Sequence, residues 1–396
     1  MEKQKRTAIS LMALTVLIDF TGFGLIIPLL PFWAEHFGAN AFMVGMLSSL
    51  YALAQFLFTP LLGSLSDRYG RKPIILLSLV IEALSFALTA LAGSLPVLLL
   101  ARFIGGLGAS NIGSAQAVVA DVTAPKERAR GMGIIGASIG LGFVVGPALG
   151  GVLAQQNQTL PFWIAAGVAL LNMVLVLFLL PETRKRSSVK EEAQQRGINV
   201  LFSGWRTAVH YPLILSVVLV NLLYTVAFTG MESVFALFTQ HEFGWGASQN
   251  AYVFTYIGVI VVIMQGGLVG QLVRRWRENV VMIGGMVCLA LGLLVLAFSH
   301  QLALLLIALG ILSIGDGAVS PLVSTLLSFA TPSDVQGETQ GFAQGIAGLG
   351  RVLGPLVAGG LYALGGPAIP FVVGGLLSLL AVLTASPSLA KIQRPA

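Results

Sequence analysis

The chain has 396 residues, 56% of them hydrophobic and 10% charged. Soluble domains carry about 25% charged residues, and a bigger core cannot make up the shortfall because a soluble surface must still be solvated. Composition therefore excludes a soluble globular protein, and most of the surface must face lipid. The single cysteine, Cys288, excludes an internal disulfide framework.

The start, MEKQKRTAIS, is basic and then apolar, in the manner of a secretion signal. The apolar run lasts to about residue 30 with no small-residue cleavage site after it, so it reads as an uncleaved first span. Stretches able to cross ~30 Å of hydrocarbon then recur. Taken in order, the twelve spans are 7–30, 41–62, 74–93, 95–119, 132–154, 161–181, 211–238, 249–271, 280–299, 302–327, 340–363 and 368–388. Backbone groups in lipid must pair within their own segment, which makes these spans helices. The expected fold class is all-α integral membrane, with 12 transmembrane helices.

The 22 Lys and Arg fix an orientation. Lys3, Lys5 and Arg6 precede span 1. Arg68, Arg71 and Lys72 follow span 2, and Lys126, Arg128 and Arg130 follow span 4. Arg184, Lys185, Arg186, Lys190, Arg196 and Arg206 fill the connection after span 6. Arg274, Arg275 and Arg277 follow span 8, and Lys391 and Arg394 end the chain. All 20 fall in alternate connections, which the positive-inside rule places in the cytoplasm with both termini. The net charge of +6 is thus a topology signal and not a nucleic-acid surface. The expected location is the cell (inner) membrane, multi-pass.

The connection 181–210 is long, polar and mixed in charge, and reads as a linker. The predicted domains are an N-terminal six-helix bundle (1–182), a cytoplasmic linker (183–209) and a C-terminal six-helix bundle (210–396). The halves repeat. A shift of 208 between GASIGLGFVVGPALGG (136–151) and QGIAGLGRVLGPLVAGG (344–360) superposes Gly146 on Gly354 and Pro147 on Pro355. Parallel doubling of this kind is a plan used by transporters. Gly146, Pro147, Gly354 and Pro355 are read as packing and helix-bending positions.

GSLSDRYGRKP (63–73) resembles the loop signature of the major facilitator superfamily. Gly63 and Gly70 allow close approach and a tight turn, Asp67 can accept bonds from Arg or cap a helix, and Arg68, Arg71 and Lys72 anchor the cytoplasmic side. These six residues are the expected conformational latch. ARFIGGLGAS (101–110) resembles the superfamily's helix-4 signature. GLGFVVGPALGG (140–151) resembles its antiporter signature, and DFTGFGLIIPLLP (19–31) resembles helix 1 of the drug/proton antiporters, particularly the tetracycline-efflux group. The resemblance implies the major facilitator fold, two pseudo-symmetric six-helix bundles whose helices 1, 4, 7 and 10 line a central cavity.

Asp19, Glu82, Glu232 and Asp316, together with Arg102 and Arg351, lie inside the spans. Each charge at a helix centre costs ~2.5–3.5 kcal/mol on insertion scales. Two arginines can offset two acids, so two carboxyl groups are left to exchange protons. The expected proton-coupling residues are Asp19, Glu232, Asp316, Arg102 and Arg351, with Asp19–Arg102 and Asp316–Arg351 as expected pairs. Glu82 is read as equally suited to a structural bond with Ser78 or Ser85. Glu232 shares a helix face with Asn221, Tyr224 and Phe228, a mixture suited to an amphipathic or cationic ligand. Tyr51, Gln55, Gln116, Tyr252, Tyr256 and Gln344 complete the candidate substrate contacts.

There is no GxxxxGK[ST] loop, and His36, His210, His241 and His300 are scattered near span ends without metal spacing, which argues against an ATPase, a metal site or an enzyme. The expected function is proton-coupled secondary efflux of hydrophobic or amphipathic drug-like molecules. The alternatives are a metabolite or sugar exporter, a symporter, or a lipid flippase of the same fold. Expected partners are a small-molecule substrate and membrane lipid, with no nucleic acid. The expected unit is a monomer, and its coupling ion is the proton, without other cofactors.

Overall fold

The structure, a computed structural model, describes residues 2–183, 211–332 and 335–389. Most of the predicted linker lies outside the described residues, with Arg184, Lys185, Arg186, Lys190, Arg196, Arg206, His210, Lys391 and Arg394. Among the described residues the regular structure is entirely helical. The helices are α1 (Glu2–Ile26), α2 (Leu30–Glu35), α3 (Ala41–Tyr69), α4 (Arg71–Ala90), α5 (Leu95–Gly108), α6 (Ile112–Val122), α7 (Pro125–Ala154) and α8 (Leu160–Leu179). They continue as α9 (Pro212–Phe243), α10 (Ala247–Ile263), α11 (Val269–Trp276), α12 (Glu278–Leu296), α13 (Leu302–Ala330), α14 (Gln336–Gly365) and α15 (Ile369–Leu389). A 3₁₀ turn, Ala109–Asn111, joins α5 to α6, and a π-turn, Met264–Leu268, joins α10 to α11.

Eleven stretches are long and apolar enough to cross a membrane among the described residues, and a shorter apolar stretch, Ile369–Thr384, occupies the place of the twelfth span. Apolar side chains stand open on them: Leu364 is 91% exposed, Phe178 77% and Leu383 72%. In water such exposure would be unfavourable by about 25 cal/mol per Å², so these faces belong against lipid. Two details depart from the predicted elements. The fourth span is broken at the 3₁₀ turn, and residues 63–73 form almost no loop. α3 runs on through Tyr69 and α4 begins at Arg71, so Gly70 alone makes the corner, with φ 107°. That backbone conformation is one that glycine reaches without strain.

The chain folds as two compact units. The described part of the first contains residues up to 39, 50–183 and 246–255, and that of the second contains 40–49, 211–245 and the remainder from 256. In the first unit α7 lies close along α1, with glycines at the contact and Phe143 packed against the Phe20 and Phe23 rings beside it. A Cβ on Gly142 would meet the backbone of Phe20, and one on Gly146 the carbonyl of Thr21. Ser248 of the same unit donates to the Gly151 carbonyl at 3.0 Å. In the second unit α14 lies along α9 by the same device, and a Cβ on Gly354 would reach the carbonyl of Val226 at 2.7 Å. The repeated Gly-Pro segments are therefore helix-packing seams. Each presses a glycine-bearing helix onto one that carries an intramembrane acid, Asp19 on α1 and Glu232 on α9. Pro147 and Pro355 lie within continuous helices. Small residues of this kind allow close helix approach in a membrane, where apolar side chains gain nothing by leaving lipid.

Candidate functional site

In the first unit the glycines of α5 assemble the site. A Cβ on Gly108 would stand 2.9 Å from the amide nitrogen of Glu82, and one on Gly106 would strike the carbonyl of Tyr51. α4 and α3 are thereby drawn onto the helix that carries Arg102. Ser85 adds a hydrogen bond from its Oγ to the Ala101 carbonyl, 2.8 Å.

Asp19, Glu82, Arg102 and Asn111 are all buried, at 5%, 4%, 3% and 0% exposure. The expected Asp19–Arg102 ion pair does not form. Asp19 Oδ2 accepts from Asn111 Nδ2 at 3.0 Å, and its carboxyl lies within hydrogen-bonding reach of Glu82. Arg102 instead stands over the Tyr51 ring, 4.3 Å from its centroid, where the negative ring face attracts it. The reason is geometric: α5 packs closely on α3, where Gly106 meets the Tyr51 backbone, and this sets the Tyr51 ring against the guanidinium, while no carboxylate lies within ion-pair distance of Arg102 among the described residues. Phe23, Ile26, Tyr51, Glu82, Phe86 and Arg102 border a small cavity, about the size of a water molecule.

In the second unit Tyr224 Oη donates to Asp316 Oδ1, and Phe228 stacks one turn along with ring centroids 6.2 Å apart. Ser320 is within reach of the same hydroxyl, and Glu232 is close enough to Asp316 for the two carboxylates to repel. The expected Asp316–Arg351 pair is absent too. Asp316 is buried with Tyr224 as its partner, while Arg351 is exposed. None of Asp19, Glu82, Glu232 and Asp316 forms an ion pair with Lys or Arg among the described residues.

The other candidate contacts are placed as follows. Gln55 Nε2 donates to the Ala109 carbonyl at 3.3 Å, beside the helix break. Asn221 Nδ2 donates to the Ala343 carbonyl at 3.1 Å. Tyr252 accepts from Gln155 at 3.3 Å, and Tyr256 donates to the Leu306 carbonyl at 3.2 Å. Gln116 and Gln344 are exposed. Of the ten candidate substrate contacts, Tyr224, Phe228 and Glu232 gather around an acid in the second unit, and Tyr51 does so in the first.

The residues expected to form a latch gather in a cluster centred on Arg71. Its Nη1 lies 2.8 Å from Asp67 Oδ1 and its Nε 3.2 Å from Asp121 Oδ2. Asp67 is therefore an acceptor for Arg71 and not a helix cap. The cap comes from Glu182, whose carboxylate accepts the amides of Arg71 (2.9 Å) and Lys72 (3.2 Å) at the start of α4, a favourable place for negative charge. The φ of 107° at Gly70 disfavours any side chain there, and a Cβ would also displace the Glu182 carboxylate from its place at the helix start. Gly63 has open space around it, and Arg68 packs over the Tyr69 ring at 5.3 Å. Sequence reasoning missed Asp121, Glu182 and Asn111. The signal for Asn111 was an amide inside a span next to Gly108, and for Glu182 an acid at the end of span 6.

Membrane-crossing helices around buried carboxyl groups, with glycine seams and a charged clamp at one helix corner, define a polytopic membrane transporter. The family model described as Major Facilitator Superfamily matches residues 12–344 and 266–395, and the chain belongs to that family of membrane transporters. It is 30% identical over 354 residues to the tetracycline resistance protein, class B, of Escherichia coli, covering 87% of this chain and 86% of that one. It is 30% identical over 369 residues to multidrug resistance protein 1 of Bacillus subtilis, covering 91% of each. The crystal structure of the human organic anion transporter MFSD10 aligns with a TM-score of 0.72 at 26% identity, over 96% of this chain and 99% of that one.

Proposed function

We propose that this transporter exports hydrophobic or amphipathic drug-like molecules in exchange for protons, by alternating access of its two bundles, with both termini in the cytoplasm. The observation that carries the reading is the set of intramembrane carboxyl groups Asp19, Glu82, Glu232 and Asp316, none paired with a cation among the described residues. A carboxylate held in low dielectric without a cation is costly, and taking up a proton removes the cost. Such groups load and release protons as water reaches them and withdraws. The relatives named for tetracycline and multidrug resistance support the export direction and the ligand class. Tyr224 and Phe228 beside Asp316 and Glu232 offer aromatic faces and negative charge, which suit a lipophilic cation.

A second reading, export of organic anions, is favoured by the likeness to MFSD10. The deciding experiment is reconstitution into liposomes with an imposed pH gradient. The panel comprises tetracycline, the lipophilic cation ethidium and an aromatic sulfonate anion. Proton-driven accumulation of the first two supports the proposal. Accumulation of the anion alone supports the second reading, and movement of any probe regardless of the gradient refutes proton coupling.

A further inference from the structure

We propose that Asp19 and Glu82 together form one proton-binding site, a dyad holding a single proton between its carboxyl groups, with Arg102 as its fixed counter-charge. This deepens the proton-coupled reading and rests on it for its role in transport.

The two acids come from different helices, α1 and α4, and meet within hydrogen-bonding reach at 5% and 4% exposure. Two ionised carboxylates are acceptors only and cannot bond to each other. Asp19 Oδ1 and Glu82 Oε2 are both buried without a hydrogen-bond partner, and Arg102 Nε is a buried donor without one. Asp19's other oxygen is taken by Asn111. One proton turns one acid into a donor and closes the contact between them. A cluster of acids alone would not define a site. Here the unpartnered guanidinium nitrogen of Arg102, which borders the same small cavity as Glu82, supplies a second observation.

The surrounding charges are few. α1 supplies Asp19, α3 Tyr51, α4 Glu82, α5 Arg102 and the 3₁₀ turn the neutral Asn111. α8 and the stretch of α7 from Gly131 to Ala154 carry no titratable side chain. The nearest acid on α6, Asp121, is held by Arg71. Charge balance then fixes the occupancy. Two carboxylates and one guanidinium sum to minus one, one bound proton brings the sum to zero, and two bring it to plus one. A buried site favours zero. On release the O–H bond of the protonated acid breaks, the proton passes to water, and both carboxylates are left charged and facing each other. That state is sustained only when water or a cationic ligand reaches the site. The pair titrates as a unit, and neither residue has a proton affinity of its own.

Infrared difference spectroscopy of the purified full-length protein, with aspartate or glutamate carboxyl groups labelled with ¹³C, tests this. Besides any signals from Glu232 and Asp316, which respond to one label each, the wild type should show one protonated-carboxyl signal that responds to both labels and titrates as one proton. Asp19→Asn and Glu82→Gln should each abolish or move it. Two signals, each sensitive to one label and one substitution, would overturn the dyad. If Glu82→Gln fails to fold, Glu82→Asp keeps the charge and shortens the reach. It should shift the aspartate-labelled signal, and an unmoved signal would count against the proposal. In liposomes each single variant should lower gradient-driven ethidium or tetracycline transport at least tenfold, with the double variant no worse than either. Multiplicative losses would mean two independent sites. Should wild-type transport ignore the gradient, the transport reading falls, while the infrared result still decides whether the proton is shared.

Discussion

Gly108→Ala places one methyl group where the first unit has no room. The new Cβ would lie 2.9 Å from the Glu82 nitrogen and 3.1 Å from its Cα and Cβ. Ordinary carbon contacts need about 3.5–4.0 Å, so α4 must retreat by roughly half an ångström or more. Overpacking of this kind costs about 1–3 kcal/mol, and here the atoms that must yield are backbone, which cannot turn aside as a flexible side chain would. The same displacement draws Glu82 away from Asp19. Gly113→Ala, five residues on, is the matched control, because no atom lies within 4 Å of its Cβ. It should be neutral or stabilising, by up to ~1 kcal/mol from helix propensity. Thermal unfolding in detergent should show Gly108→Ala melting several degrees below the wild type and Gly113→Ala at or above it. Equal melting temperatures for Gly108→Ala and the wild type would refute the close α4–α5 seam and the account of how Glu82 is positioned.

Glu182→Ala removes the acceptor for the amides of Arg71 and Lys72, and should cost about 1 kcal/mol, read as a lower melting temperature with substrate affinity unchanged. Asp67→Asn weakens the Arg71 clamp and should slow turnover more than it weakens ligand binding; a pure affinity loss would contradict the latch. Tyr224→Phe deletes only the hydroxyl that bonds Asp316. Leaving a buried acceptor short of a donor costs about 1–3 kcal/mol, so proton-driven transport should fall roughly tenfold while the protein stays folded.

The membrane class, the spans and the doubling of the Gly-Pro segment could all be read from composition and spacing, because lipid imposes length, apolarity and self-paired backbone on every crossing segment. The acids themselves were also visible, since an aspartate in an apolar run such as LIDFTG (17–22) stands out against its neighbours. Their partners were not. Helical periodicity tells which residues share a face, and says nothing about which neighbouring helix that face meets. Counting charges assigned Arg102 to Asp19, whereas Glu82 of α4 lies beside Asp19 and the close packing of α5 on α3 puts the Tyr51 ring under Arg102. Asn111 reaches Asp19 from a 3₁₀ turn, a break that a smooth apolar run hides. Arg71 joins Asp67 four residues back, which spacing can suggest, to Asp121 fifty residues on, which it cannot.

The central claim is that protons move through buried carboxyl groups that form no ion pair with Lys or Arg among the described residues, in exchange for the exported molecule. It is tested most directly by loading liposomes with a pH-sensitive dye, adding tetracycline or ethidium, and following lumenal pH in the wild type and in Asp19→Asn. The account predicts a drug-triggered proton flux opposite to the drug in the wild type and none in the variant. Drug movement at the wild-type rate without any change in lumenal pH, or an undiminished flux in Asp19→Asn, would contradict it.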